Sequence, residues 1–179
     1  MTRTLTAKAD ADAAPDQADI IDLESRLTDD HHQSLRLWLR MLSCTMLIEN
    51  EIRSRLRSSF DITLPRFDLM AQLERHPDGL RMKELSRRMM VTGGNITGIT
   101  DQLEQEGLVQ RVTDPEDRRA YSVKLTPAGR RAFARMAQVH EGWVADLLDG
   151  MSAADKTRLV ELLSKMKQQL NARLGRDGE

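Results

Sequence analysis

The sequence predicts a mainly α-helical chain carrying one small β-hairpin. Three observations lead to that fold class. Apolar residues recur at i, i+3, i+4 and i+7 through most of the chain, the period of helices with one buried face. The period changes once, between residues 108 and 125, where apolar and polar residues alternate as in half-buried strands. Start and stop signals punctuate the pattern: Thr126-Pro127 reads as a helix start, and Gly107, Gly150 and Gly175 read as helix ends.

The elements follow in order. Residues 1–19, rich in Ala, Asp and Thr with Pro15, show no periodicity, and Ile20, Ile21, Leu23 and Leu27 can form a short amphipathic turn; residues 1–29 as a whole read as a disordered acidic tail. A long helix is predicted from Asp29 or Asp30 to about Ser59, with Leu35, Trp38, Leu42, Leu47, Ile48, Ile52 and Leu56 at helical spacing. At about 1.5 Å per residue it reaches roughly 45 Å. That is more than a small core covers, so a second copy of the chain is its expected partner. Pro65 fits the first turn of a second helix carrying Phe67, Leu69, Met70 and Leu73, which stops at the turn His76-Pro77-Asp78-Gly79. Lys83 to Met90 gives a third helix. Thr92 caps a fourth, from Gly93 to Glu106, with Ile96, Ile99 and Leu103 on its buried face. Leu108–Val112 and Tyr121–Leu125 are the two strands, and Thr113–Arg119 forms a charged hairpin tip. A fifth helix runs from Pro127 to about Asp149. Ser152 with Asp155 resembles a capping box opening a sixth, with Leu159, Leu162, Leu163, Met166, Leu170 and Leu174 along it. Residues 175–179 form a short tail.

Composition narrows the function. Net charge is −1, yet residues 1–30 hold three basic and eight acidic residues, which leaves the remainder at +4. A mildly basic body permits nucleic-acid binding without demanding it. Two Trp, one Tyr and three Phe are too few for a platform that stacks single-stranded bases. The single cysteine, Cys44, cannot form an internal disulfide, and four-cysteine zinc sites are excluded. No apolar run reaches membrane-spanning length, and the acidic N-terminus lacks a signal-peptide pattern, so a cytoplasmic protein without membrane association is expected. No nucleophile elbow, phosphate loop or dinucleotide fingerprint occurs. The chain reads as a non-enzyme without a cofactor.

Residues 65–126 therefore read helix, helix, turn, helix, hairpin: a winged helix-turn-helix. The outward face of the fourth helix is small and polar, with Gly94, Asn95, Thr97 and Gly98 behind the cap Thr92. Small residues admit a DNA edge closely, and Asn and Thr hydrogen-bond bases or phosphates. Gly93 and Gly94 serve a turn equally well, and Asp101 reads as a local capping or pairing residue. In the hairpin, Asp117 can hold Arg119 by a bidentate pair, and Arg118 is placed for phosphate. The same Asp117–Arg119 pair also reads as a simple surface salt bridge.

The residues Lys83-Glu-Leu-Ser-Arg, Val91-Thr-Gly-Gly-Asn-Ile-Thr, Asp101-Gln-Leu-Glu-Gln-Glu-Gly-Leu-Val and Asp117-Arg-Arg…Leu125-Thr-Pro-Ala-Gly129 resemble the MarR family of bacterial transcriptional regulators. The resemblance covers about residues 30–174. It implies a homodimer joined by residues 30–64 and 127–174, recognition helices in the major groove and wings in the flanking minor groove, with Arg119 entering it. It also implies a pseudo-palindromic double-stranded operator and a small ligand that weakens DNA binding, as in a repressor. Glu116 stands where the family often has Arg.

Other residues divide between functional and plain structural readings. Arg36 and Arg40 flank Trp38, and Arg66 precedes Phe67, with Met70 one turn on. Cation beside aromatic suits an aromatic acid or its acyl-CoA thioester; solvated arginines are the plain alternative. The segments around Arg36 and Arg66 are similar to regulators responding to hydroxycinnamoyl-CoA, which implies a role in aromatic catabolism. Cys44 admits a redox-sensing reading, against which a buried structural thiol is favoured. Asp29, Asp30, His31 and His32 read as a solvated helix start rather than a metal site. Met41, Met46, Met70, Met89, Met90 and Met136 read as core fillers. A winged-helix interaction module that binds no DNA is the remaining alternative.

Overall fold

The computed structural model describes residues 32–113 and 121–175. The chain divides into two units, residues 1–54 and 55–179. The boundary falls within a single continuous helix, α1 (Gln33–Phe60).

In the first unit, α1 exposes Leu35, Leu37, Trp38 and Leu47, while Ile52 is buried. Cys44 is exposed, which corrects the expectation of a buried thiol. The predicted tail and the cluster Asp29, Asp30 and His31 lie outside the described residues; His32 is exposed.

The second unit begins with the last turns of α1. Asp61, at φ 51°, ends that helix in the left-handed region, which a short polar side chain tolerates better than most. Helix α2 (Leu64–Glu74) starts with Pro65 in its first turn and buries Phe67, Leu69, Met70 and Leu73. A turn closed by the Gly79 amide on the His76 carbonyl at 2.8 Å leads to β1 (Leu80–Arg81). Then come α3 (Met82–Arg88), α4 (Gly93–Gln105), β2 (Val109–Thr113) and β3 (Tyr121–Leu125). Helices α5 (Pro127–Leu147) and α6 (Ala153–Arg173) complete the chain.

The sheet has three antiparallel strands in the order β1-β3-β2, one more than the hairpin predicted. Val109 pairs with Leu125 and Thr113 with Tyr121; on the other edge Leu80 pairs with Val123. A two-residue strand has no periodicity to read, so β1 emerges only through its pairing. Leu80, Leu85, Ile96, Leu103, Val109, Val123 and Leu125 join the α2 residues in the core of this lobe.

The caps behave largely as the sequence indicates. Thr126 accepts a bond from the Gly129 amide at 2.9 Å, and Ser152 accepts one from the Asp155 amide at 3.1 Å. In a full capping box the acidic side chain reaches the cap residue's own amide. Here Asp155 Oδ2 instead accepts from the Ser152 hydroxyl at 2.6 Å. Helix α4 ends in a Schellman motif: Gly107, at φ +70°, donates to Glu104, and Leu108 donates to Leu103. Helix α5 ends at Leu147, short of the predicted stop at Gly150. Helix α6 buries none of its residues. Along it Leu159, Val160, Leu162, Leu163, Leu170 and Leu174 are 40–63% exposed.

Candidate nucleic-acid interface

The amphipathic pattern of α4 decides its orientation. Ile96, Thr100 and Leu103 face the core, and Thr100 spends its hydroxyl on the Ile96 carbonyl at 2.7 Å. The opposite side then carries Thr92, Gly94, Asn95, Thr97 and Gly98, all exposed. A Cβ added at Gly94 or Gly98 would meet no atom within 4 Å, so this face is open. The Thr92 hydroxyl accepts from the Asn95 amide at 3.4 Å, and the Thr97 hydroxyl donates to the Gly93 carbonyl at 2.9 Å. Both oxygens keep lone pairs for a donor, and the Asn95 side chain extends from the first turn. The predicted helical set thus lies together on one accessible surface. The wing-tip residues Asp117, Arg118 and Arg119 fall within 114–120, outside the described residues.

A bracket fixes α4 against the hairpin. Arg111, on β2, pairs with both Asp101 and Glu104 of α4, and its amide donates to Glu104 Oε1 at 3.0 Å. Its guanidinium also lies over the Tyr121 ring of β3, 5.4 Å from the centroid. The hydrogen bond to Asp101 is the largest of the influences that raise the Arg111 pKa above its ordinary value. Asp101 therefore pairs locally, as expected. Arg111 and Glu104 were not singled out in the sequence; a charged residue on a strand gives no hint of a partner seven or ten positions earlier until the hairpin folds back.

A second junction joins the base of the wing to α5. The Leu108 carbonyl accepts from the Thr126 amide at 3.0 Å, and the Thr126 hydroxyl donates to the Gly107 carbonyl at 2.7 Å. These bonds tie the end of α4, the start of β2 and the start of α5 to one point.

The residues considered for a small ligand separate by environment. In the first unit, Arg36 and Arg40 line a shallow surface cleft with Gln33, Ser34 and Leu37, and Trp38 is 55% exposed. In the second, Arg66 is paired with Glu106 beyond the end of α4. Phe67 and Met70 are buried in the lobe. Phe67 packs against Phe133 at 5.4 Å and His140 at 4.9 Å between ring centroids. Burial holds the His140 imidazole below its usual pKa. Of the six methionines read as fillers, Met70 and Met136 are buried; Met90 is 84% exposed, a correction whose setting is the left-handed turn after α3.

Residues 62–121 match the MarR family. A MarR family transcriptional regulator from Silicibacter pomeroyi, known from a crystal structure, is 31% identical with a TM-score of 0.68; the match covers 80% of this chain and 99% of that one. A putative transcriptional regulatory protein for the hcr operon of Thauera aromatica is 34% identical over 100 residues, 56% of this chain and 60% of its own length. The HTH-type transcriptional regulator YdgJ of Bacillus subtilis, itself uncharacterized, is 28% identical over 110 residues, 62% of this chain and 66% of its own. The chain thus spans slightly less than two thirds of these two relatives. Among the described residues, no helix is long and apolar enough to cross a membrane.

Proposed function

The chain belongs to the MarR family of transcriptional regulators, and from that premise we propose that it acts as a homodimeric repressor on a pseudo-palindromic DNA operator. The observation that carries this reading is the open face of α4, where Gly94, Asn95, Thr97 and Gly98 stand clear of the rest of the lobe. Such a face fits the major groove, with Asn95 and Thr97 offered to base edges and phosphates. Arg118 and Arg119 supply the wing contacts, Arg119 in the minor groove and held by Asp117. The exposed apolar row of α6 supports the dimer, since apolar surface on this scale favours a partner. Two-fold symmetry in the protein then calls for two-fold symmetry in the operator. An electrophoretic shift with DNA from upstream of the protein's own gene tests the reading. A sequence-selective, salt-dependent shift supports it; no shift at low salt leaves the non-DNA interaction module.

The effector proposed is a small aromatic acid or its acyl-CoA thioester, which releases the repressor in the cytoplasm. Trp38 offers an accessible aromatic face, and Arg36 and Arg40 share one surface cleft. Arg66, Phe67 and Met70 are committed to the ion pair and packing of their own lobe, so the exposed set bears the weight of the reading. Titration of free acid, thioester and CoA into the wild type and an Arg36→Ala/Arg40→Ala variant decides between the two chemistries. Equal binding of the thioester by both proteins removes the arginines from the site. A thiol-sensing regulator is the second reading, favoured by the exposure of Cys44; a Cys44→Ser variant that still releases DNA under peroxide eliminates it.

A further inference from the structure

Arg66 stands in the first turn of α2, and Glu106 is the cap residue at the end of α4. An ion pair joins them across the lobe. Neither residue is placed for stability. A cation in a first turn faces the positive end of its own helix dipole, and an anion at a helix end faces the negative one. The Arg66 side chain is only 11% exposed, and its Nε is buried without an acceptor among the described residues. Taking a charge out of water with one donor unsatisfied works against folding. A pair disfavoured on each of these counts is explained by the geometry it imposes, not by the stability it adds.

That geometry is a brace on α4. At about 3.6 residues per turn, the buried stripe of Ile96, Thr100 and Leu103 has Asp101 and Glu104 on one flank and Glu106 on the other. Arg111 of β2 grips the first flank, and Arg66 of α2 grips the second. Arg66 is itself anchored, because the next residue, Phe67, packs against Phe133 and His140 of α5. Asn95 lies eleven residues before Glu106, roughly 16 Å along the helix axis. A tilt of about 5° at the Glu106 end would therefore move Asn95 by roughly 1.4 Å. That exceeds the whole range of good hydrogen-bond lengths. We propose that Arg66 is a positioning residue for operator recognition, setting the roll and tilt of α4 through Glu106 from the side opposite Arg111. The inference rests on the operator-binding reading above and adds to it a residue that acts without touching DNA.

The test measures operator affinity and melting temperature for Arg66→Met, Glu106→Gln and the double variant. Glu106→Gln removes a negative charge, so electrostatics alone would tighten DNA binding. Loss of the brace predicts the opposite sign, an affinity about three- to tenfold weaker. Arg66→Met should weaken binding by a similar factor, and the double variant no further, because one interaction is lost in all three. Melting should follow a different order. Arg66→Met leaves a half-exposed carboxylate in water and should melt no lower than the wild type. Glu106→Gln strands the buried guanidinium and should melt lower, and the double variant should recover, which keeps the affinity comparison readable. A Glu106→Gln protein that binds the operator as tightly as the wild type, or tighter, would overturn the proposal. Additive losses of affinity in the double variant would overturn it too, as would an Arg66→Met protein that melts well below the wild type, since Arg66 would then be a structural residue. Wild-type protein that shifts no DNA at all would bring down the operator reading, and this inference with it.

Discussion

The α-carbon of Gly129 lies against the carbonyl of Leu108 so closely that a Cβ there would stand 1.9 Å from the oxygen. That oxygen already accepts from the Thr126 amide, so it cannot swing away without breaking the junction at the base of the wing. Gly129→Ala should therefore destabilise the protein by about 1–3 kcal/mol or more, the range for overpacking a rigid site. Urea denaturation measures it; a change under about 0.5 kcal/mol, the scale of ordinary surface substitutions, would contradict the tight approach.

Arg111→Met should loosen the wing from the recognition helix. The Arg111 side chain is 24% exposed and its carboxylate partners, Asp101 and Glu104, 48% and 36%. Screening leaves each such pair worth no more than about 1 kcal/mol, so the melting temperature should drop only slightly. Operator affinity should suffer more, about five- to tenfold, because the two elements proposed to meet DNA, α4 and the wing, share this bracket. A double-mutant cycle with Asp101→Asn tests the coupling. Strictly additive effects on DNA binding would mean that the ion pair does not orient the helix.

His140 makes acid stability predictable in sign. Burial lowers its pKa from the ordinary 6.5. The unfolded chain then binds more protons than the native one on the acid side. Its contribution is intact above pH 6.5 and is lost as pH falls toward the lowered native value. His140→Gln should flatten the stability curve in that window while leaving the neutral side comparatively level. Parallel curves for the two proteins from about pH 7.5 to 5 would refute this assignment.

The row of leucines on α6 should form the contact of the proposed dimer. Leu162→Asp/Leu163→Asp places two charges on a face that is 56% and 40% exposed at those residues within one chain. The lobe core should stay folded, since α6 contributes no buried residue to it. Sedimentation should then report the 20.4 kDa monomer. A variant that remains dimeric would move the interface elsewhere.

Arg119→Ala should weaken operator binding at least tenfold, in line with removing about 1.5–3 kcal/mol of charge-assisted hydrogen bonding. Asp117→Ala should do the same less severely by freeing the guanidinium. Anisotropy titrations that superimpose on the wild type would exclude minor-groove reading by this wing.

The order and type of the main elements were legible from local sequence, because each element carries its own period and its own punctuation. Thr92, Thr126 and Ser152 cap where their side chains predict, and Gly107 stops α4, since capping bonds span only three or four residues. The polar face of α4 was likewise legible, as it is the complement of Ile96 and Leu103. Tertiary structure decided everything that joins distant positions. The pairing of Leu80 with Val123 created a strand too short for periodicity, and the return of β2 placed Arg111 on Asp101 and Glu104. The fates of Phe67 and Met90 were settled the same way. One is an aromatic residue enclosed by Phe133 and His140; the other is a methionine held outside the core by a left-handed turn. Apolar character sets the tendency to be buried, but the packing of neighbours from elsewhere in the chain decides whether a side chain has anything to be buried against.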